Sequence, residues 1–400
     1  MMQIFEIAVA LASIAVFLLS VFLFLEIVGA YLPQRKKQAD DGTPGPIAVV
    51  IPAHNEAASI GATLSSVLAQ ARNVDRVIVV ADNCSDDTAE IALRAGAQSW
   101  VRVDDLHRGK GYALQFALDR LKDAPPETVV FVDADCTLSD GSLMKLAATA
   151  EREERPIQAL YLMKAPPEAT ARLRVAEFAW AFLNHARMSG LDRLFGVSRI
   201  TGAGVALPWS TAATLNVGSG EIVEDLALTL TLTDRKKAPL LQVDALVTSE
   251  FPTAEDALAK QRARWEHGSQ RLAARRALPS FSKGVTSGDI RLVAIAGDIM
   301  IPPIVNLFAA ILVMFAISLI AWFMGAAAPL PFVAGALILF AASVVAGWFK
   351  VGRAALPFSS LRGLVPFLAA KSQVYGAEGR ASAKQWTPTR SGEIDGNAGE

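Results

Sequence analysis

Hydrophobic positions follow two patterns along this chain. At both ends they run on with almost no charge, and in the middle they come in short bursts between mixed stretches. Residues 4–31 form one apolar run whose only charges are Glu6 and Glu26. About 20 apolar residues cross a bilayer core, so this run is long enough to be a membrane anchor. A signal peptide is the other reading. It is disfavoured because no basic residue precedes the run, the run is too long and no small-residue cleavage site closes it. A second run covers residues 299–324 and a third covers 330–348, with a turn at 325–329. Asp298, Pro302 and Pro303 stand at the mouth of the second, which predicts a break between an interfacial helix and the span.

Between the ends, the apolar bursts at 47–51, 76–80, 100–103 and 128–132 read as short strands. Stretches of helical periodicity at 56–70, 86–95 and 111–122 separate them, with Ser85 a candidate N-cap. Strands that are apolar throughout, alternating with helices, predict a parallel sheet covered on both faces. The expected fold class is therefore α/β, with about three transmembrane helices.

Flanking charge orients the spans. Arg35, Lys36 and Lys37 follow the first run, and Lys350, Arg353 and Arg362 follow the third. By the positive-inside rule both flanks, and the domain between, are cytoplasmic. The expected layout is an anchor over 1–33, a cytoplasmic domain over 44–268, interfacial amphipathic helices over 269–298, two spans over 299–349, and an interfacial helix and tail over 350–400. Arg271, Arg275 and Arg276 give the 269–278 stretch a basic face suited to an anionic membrane surface.

Composition narrows the chemistry. The formal net charge is −1 and no basic stripe is present, so nucleic acid is not an expected partner. Cys84 and Cys136 are the only cysteines, which excludes a disulfide framework and makes a zinc site improbable. In open α/β sheets ligands bind beyond the carboxyl ends of the strands. Here those ends read Pro52-Ala53-His54-Asn55-Glu56, Asp82 to Asp87, and Asp133-Ala134-Asp135. Three acidic strand ends converging on one crevice predict a divalent cation, because carboxylates repel one another without one. Asp-x-Asp is also a common chance triplet. Its place directly after a Val-Val-Phe-Val strand favours a clamp for Mg²⁺ or Mn²⁺ through Asp133 and Asp135. Glu224-Asp225 by itself also fits an acidic pair complementing a helix dipole, and Arg264 and Trp265 also fit a membrane interface. Lys110 by itself also fits a solvated surface. His54 reads as positional, and His107, His185 and His267 as structural.

Six stretches in order resemble the family 2 glycosyltransferases. They are residues 50–56, 82–88, Gly109-Lys110-Gly111 with Ala113-Leu114, Asp133-Ala134-Asp135, Glu224-Asp225, and Gln261-Arg262-Ala263-Arg264-Trp265. The last resembles the Gln-x-x-Arg-Trp signature of the membrane-embedded, cellulose- and hyaluronan-synthase-like members. The resemblance covers about residues 47–268 and the flanking spans. It implies the GT-A fold, a Rossmann-like mixed sheet with helices on both faces. It implies Asp225 as the general base and Asp135 as the principal metal ligand beside Asp133. It implies a donor site of Pro52, His54, Glu56, Asp82, Lys110, Asp133, Gln261 and Arg264. It implies an acceptor side of Gly202, Glu224 and Trp265. The implied partners are a nucleotide-sugar donor, a UDP-sugar foremost, a lipid-linked or glycan acceptor, the membrane, and room for further polysaccharide-assembly subunits. The expected location is a bacterial inner membrane. Trp386 to Arg390 resembles a tail element of related synthases that would fold over the donor. Two alternatives stay open, a polyprenyl-phosphate sugar synthase and a non-catalytic scaffold. The Gln261 to Trp265 stretch argues against the first and the intact acidic set against the second.

Overall fold

The computed structural model describes residues 2–34, 42–218, 224–251, 255–353 and 355–369. Eight strands form one sheet: β1 Ile47–Ala53, β2 Arg76–Asp82, β3 Gln98–Arg102, β4 Thr128–Phe131, β5 Thr137–Leu138, β6 Ile157–Lys164, β7 Val205–Pro208 and β8 Leu240–Glu250. Their order is β3-β2-β1-β4-β7-β6-β8-β5. The four strands expected from the apolar bursts are the parallel part, with β1 between β2 and β4, and β3 outside β2. The second half is mixed. β7 runs antiparallel to β4 and β6, while β6 and β8 are parallel with a register shift between Ala159 and Leu160.

Period-two alternation divides β1 between two cores. Ile47, Val49 and Ile51 face the helices Ile60–Leu68 and Ser142–Glu153, with Leu64, Leu143 and Leu146 among their neighbours. Ala48 and Val50 face the helix Lys110–Leu121 through Leu114, Leu118 and Leu121. Burying each of these large side chains contributes about 1.5–3 kcal/mol, and together they hold the carboxyl ends of β1, β2 and β4 side by side.

Among the described residues, three helices are long and apolar enough to cross a membrane: Gln3–Gly29, Ile304–Phe323 and Leu330–Gly352. They match the three apolar runs. The second starts after Pro302 and Pro303, which separate it from the helix Ile290–Met300 as the sequence predicts. The spans form their own core through Leu23, Ile27, Leu307, Ile311, Val333 and Phe340. Phe182 and Ala186, from a π-helical turn at Phe182–Arg187, join that core, so the sheet domain docks directly on the spans. The approach is close. A Cβ on Gly190 would strike the backbone of Glu26, and one on Gly352 would come within 2.7 Å of Phe178. Residues 35–37 and the tail element 386–390 lie outside the described residues.

Candidate active site

Each parallel strand delivers its residues at its carboxyl end, and the turns beyond are stitched together. Asn55 and Asn83 both adopt positive φ, 55° and 50°, a conformation asparagine tolerates better than most residues. Ser85 N–H donates to Asn55 Oδ1 at 2.8 Å, Ala57 N–H to Asp86 Oδ2 at 3.0 Å, and Glu56 N–H to Thr88 Oγ1 at 2.9 Å. The helix here begins at Thr88. Asp86, not Ser85, meets its first N–H, because a carboxylate has a second oxygen with which to hold the neighbouring turn.

Asp82 closes β2 and is 5% exposed. Its Oδ1 accepts from Arg102 Nη1 at 2.6 Å, across the β2–β3 pair in which the two residues are register partners. Arg102 also donates to Asp104 Oδ2 at 2.9 Å and to the His107 carbonyl at 2.8 Å. Asp82 is thus neutralised within the fold, and the expected repulsion among strand ends falls on the β4 side. His54 Nδ1 contacts the Asp82 carbonyl oxygen at 2.7 Å, a positional role. Pro52 lies in β1 opposite Val80. The Glu56 carboxylate accepts from Ser59 Oγ at 2.5 Å within its own turn.

The β4 end gathers further carboxylates, Asp133 and Asp135, beside a lysine. Lys110 opens its helix after Gly109, whose φ of 123° suits glycine, and its ammonium reaches Asp133 Oδ1 at 2.5 Å and the Gly202 carbonyl at 3.1 Å. Burial raises the Asp133 carboxyl to about 6; Lys110 opposes the shift, and the charges of Asp135 and Asp225 add to it. One ligand atom each from Asp133, Asp135 and Cys136 lie within 4.8 Å of one another. Burial pushes the Cys136 thiol well above its usual range, so it stays protonated and donates to Asp135 Oδ1 at 3.4 Å. The two carboxylates, hard oxygen donors, therefore fit Mg²⁺ or Mn²⁺, while the neutral thiol orients one of them.

The opposite wall is the turn 201–204. Buried Gln158 holds it, accepting from Thr201 N–H at 2.9 Å and donating to the Ala203 carbonyl at 2.8 Å. Gly202 has φ 91°, and a Cβ there would fall 2.6 Å from Asp225 Oδ2 and 2.9 Å from Lys110 Nζ. A carboxylate, a lysine and a glycine turn therefore share one small volume. Asp225 is in the first turn of the helix Glu224–Asp234, whose Thr229 hydroxyl donates to the Asp225 carbonyl at 2.8 Å and accepts from Ile200 N–H at 2.9 Å. Beside Asp225 and Gly202 opens a cavity of about 220 Å³ with mainly apolar walls, including Leu114, Phe131, Leu215 and Leu228. Arg276, expected at a membrane surface, instead lines that cavity and donates to Thr231 Oγ1 at 2.9 Å.

Trp265 lies in the helix Glu255–Leu272, with its ring 5.2 Å from Trp180. Trp180 meets Tyr161 and Phe251 edge-on, and Tyr161 hydroxyl pairs with Ser249 Oγ at 2.8 Å behind Cys136. The side chains of Glu224, Gln261 and Arg264 lie outside the described residues. Sequence reading missed Arg102, Gln158, Trp180 and Thr229. Arg102 alone left a signal, a charge within the short apolar burst 100–103.

The family model described as Glycosyltransferase like family 2 matches residues 44–268. A 4,4'-diaponeurosporenoate glycosyltransferase of Staphylococcus aureus (strain USA300) is 39% identical over 92 residues, which is 23% of this chain and 24% of the relative. This chain therefore matches only about a quarter of that relative's length. Among solved structures, a mannosyltransferase from Pyrobaculum calidifontis in complex with GDP-Man and Mn²⁺ superposes with TM-score 0.51 at 16% identity, covering 94% of this chain and 98% of that one. That likeness is one of fold. A glucosyl-3-phosphoglycerate synthase from Mycobacterium tuberculosis, with Mn²⁺, uridine-diphosphate and phosphoglyceric acid, gives TM-score 0.38 at 19% identity over 60% of this chain and 84% of that one. With the acidic crevice on a mixed sheet and the family match over more than half its length, the chain belongs to glycosyltransferase-like family 2 and carries the GT-A fold.

Proposed function

We propose that this chain transfers a sugar, with inversion, from a nucleotide-sugar donor to a lipid-linked or glycan acceptor in envelope or exopolysaccharide assembly. The catalytic domain, residues 44–268, faces the cytoplasm from a membrane held by the three spans. The observation that carries the reading is the meeting of Asp225 Oδ2 and Lys110 Nζ over Gly202, with Asp133 paired to the same lysine.

In this reading Asp225 takes the proton of the attacking acceptor hydroxyl, the one base that inverting transfer requires. The turns 54–56 and 82–88 hold the nucleoside of the donor, with Asp82 held in place by Arg102. Asp133 and Asp135 hold the Mg²⁺ or Mn²⁺, which when bound stabilises charge on the departing diphosphate. Lys110 and Arg264 add positive charge to the same group. Gln261 and Trp265 complete the wall. The Trp180 and Trp265 rings give a sugar an apolar face to rest on. The apolar cavity beside Asp225 supports an acceptor with a hydrocarbon part. The named carotenoid substrate of the Staphylococcus relative points the same way. A UDP-sugar leads the donor candidates, and GDP-Man in the Pyrobaculum neighbour makes GDP-sugars the second set.

The test is nucleotide release in nanodiscs from a panel of UDP- and GDP-sugars with Mg²⁺ or Mn²⁺, with and without lipid extract. Metal-dependent release from one donor, absent in Asp225→Asn, is expected. No nucleotide binding and no release across the panel would leave the scaffold reading in its place.

A further inference from the structure

Away from the crevice, four charged side chains are buried together where the sheet domain meets the spans. Glu26 lies near the end of the first span and is 0% exposed. Arg187, in the π-helical turn, donates Nε to Glu26 Oε2 at 2.6 Å and Nη2 to Asp298 Oδ1 at 2.8 Å. Arg199 donates Nη2 to the same Asp298 Oδ1 at 2.6 Å and Nε to Oδ2. Two carboxyl groups and two guanidinium groups thus meet in one buried set. Its members come from the first span, the helix that crosses it, the chain entering the turn 201–204, and the helix Ile290–Met300.

The set leads to the site. Arg199 is followed by Ile200, whose N–H is held by Thr229 on the helix of Asp225. Thr201 is held by Gln158, and Gly202 carries the close approach of Asp225 and Lys110. From Glu26 to Asp225 every step is therefore a hydrogen bond or a neighbouring peptide. A buried ion set is weak evidence for stability, since apolar residues of similar volume often hold a fold equally well. It does define geometry, because a guanidinium donates along fixed directions in one plane.

We infer that Glu26, Arg187, Asp298 and Arg199 are positioning residues that set the turn 201–204, and through it Asp225, against the first span. The N-terminal span is then a working part of the active site as well as an anchor. Glu26 Oε1 has no hydrogen-bond partner, so the span is tied to the set through Oε2 alone. One neutral substitution should release the tie.

The experiment compares Glu26→Gln, which keeps shape and loses charge, with the double variant Glu26→Met/Arg187→Met, which removes one balanced pair and leaves Asp298 with Arg199. Both are studied in the full chain in nanodiscs. Two quantities are measured: amide exchange over residues 199–204, which needs no substrate, and the kinetics of nucleotide release, which rest on the proposed function. The expected result is a folded double variant with cooperative melting. Exchange over 199–204 should be faster, kcat lower by about ten- to hundredfold, and the donor KM within about twofold. Unchanged exchange and kcat in a folded variant would overturn the inference. So would loss of cooperative melting in both variants, which would make the set purely structural. If the wild-type chain releases no nucleotide, the proposed function fails, while the exchange measurement still decides the coupling.

Discussion

Two groups of buried or half-buried charge lie on either side of the turn 201–204, and they are built differently. On the crevice side, Asp133, Asp135 and Asp225 gather around Lys110, so negative charge exceeds positive among the described residues. On the membrane side, Glu26 and Asp298 are matched by Arg187 and Arg199. The crevice group is half-buried, while the membrane-side group is closed to solvent. Imbalance stores unfavourable electrostatics that a cation and a diphosphate ligand relieve. Balance leaves nothing for a ligand to relieve and serves to fix where elements sit. The Asp82–Arg102 pair is an intermediate case, balanced yet at the mouth of the crevice.

The contrast can be broken at its strongest point first. Asp225→Asn should lower kcat for nucleotide release by about 10³-fold, with cooperative melting unchanged, because it removes the proposed general base and barely alters shape. Asp135→Asn should abolish the thermal upshift given by Mn²⁺ and the metal dependence of turnover, as read by melting curves with and without the ion. Gly202→Ala should cost about ten- to hundredfold in kcat. Its methyl group would lie 2.6 Å from Asp225 Oδ2 on a backbone with φ 91°, so the turn and the base must separate.

Acidity separates the two groups more gently. The Asp133 carboxyl titrates near 6 in the fold against an ordinary value of 3.8. The metal-free fold therefore holds a proton that the unfolded chain has lost. That stabilising contribution is full below about 3.8 and disappears as pH rises through about 6. A cation needs the ionised form, so the Mn²⁺-induced melting shift should be large at about pH 7.5 and small at about pH 5. Asp133→Asn should flatten that dependence. The smallest effect is at His185, which burial, with Lys350, Arg193 and Lys164 nearby, depresses to about 4. Its neutral form stabilises the fold above 6.5, and the contribution is lost as pH falls from 6.5 towards 4. Loss on the order of 2 kcal/mol should lower the melting temperature by several degrees over that window. His185→Gln should reduce this slope without altering the Mn²⁺ response.

How much of this was legible depended on how local each signal is. β1, β2 and β4 stood out because each carries a run of apolar residues buried on both faces, while β3 showed only as Trp100, Val101 and Val103 around Arg102. β5 to β8 went unread. β5 has two residues, and β8 mixes exposed and buried positions across a register shift. The spans were plain from length and apolarity alone. Asp133 and Asp135 were singled out by their place after a strand, and Asp225 only by the family resemblance, since a helix start by itself also suits an ordinary acidic pair. Arg102, Gln158 and Trp180 were not, since their roles lie in which distant residue they touch.

Glu26 shows the division most sharply. In the sequence it was one of two charges in an apolar run, with no indication of a partner. Its partner Arg187 stands 161 positions away, and the next carboxyl in the set, Asp298, lies a further 111 beyond. The sequence by itself determined the α/β class, the three spans, the acidic strand ends and the family. These depend on composition and spacing within a few residues, where periodicity and chain stiffness decide. The tertiary structure alone decided which carboxylates pair with guanidinium groups, that both cysteines stay thiols, and which span is hydrogen-bonded to the set leading into the turn 201–204. Charge in a protein takes its meaning from the dielectric and the partners around it, and folding assembles both from residues far apart in the chain.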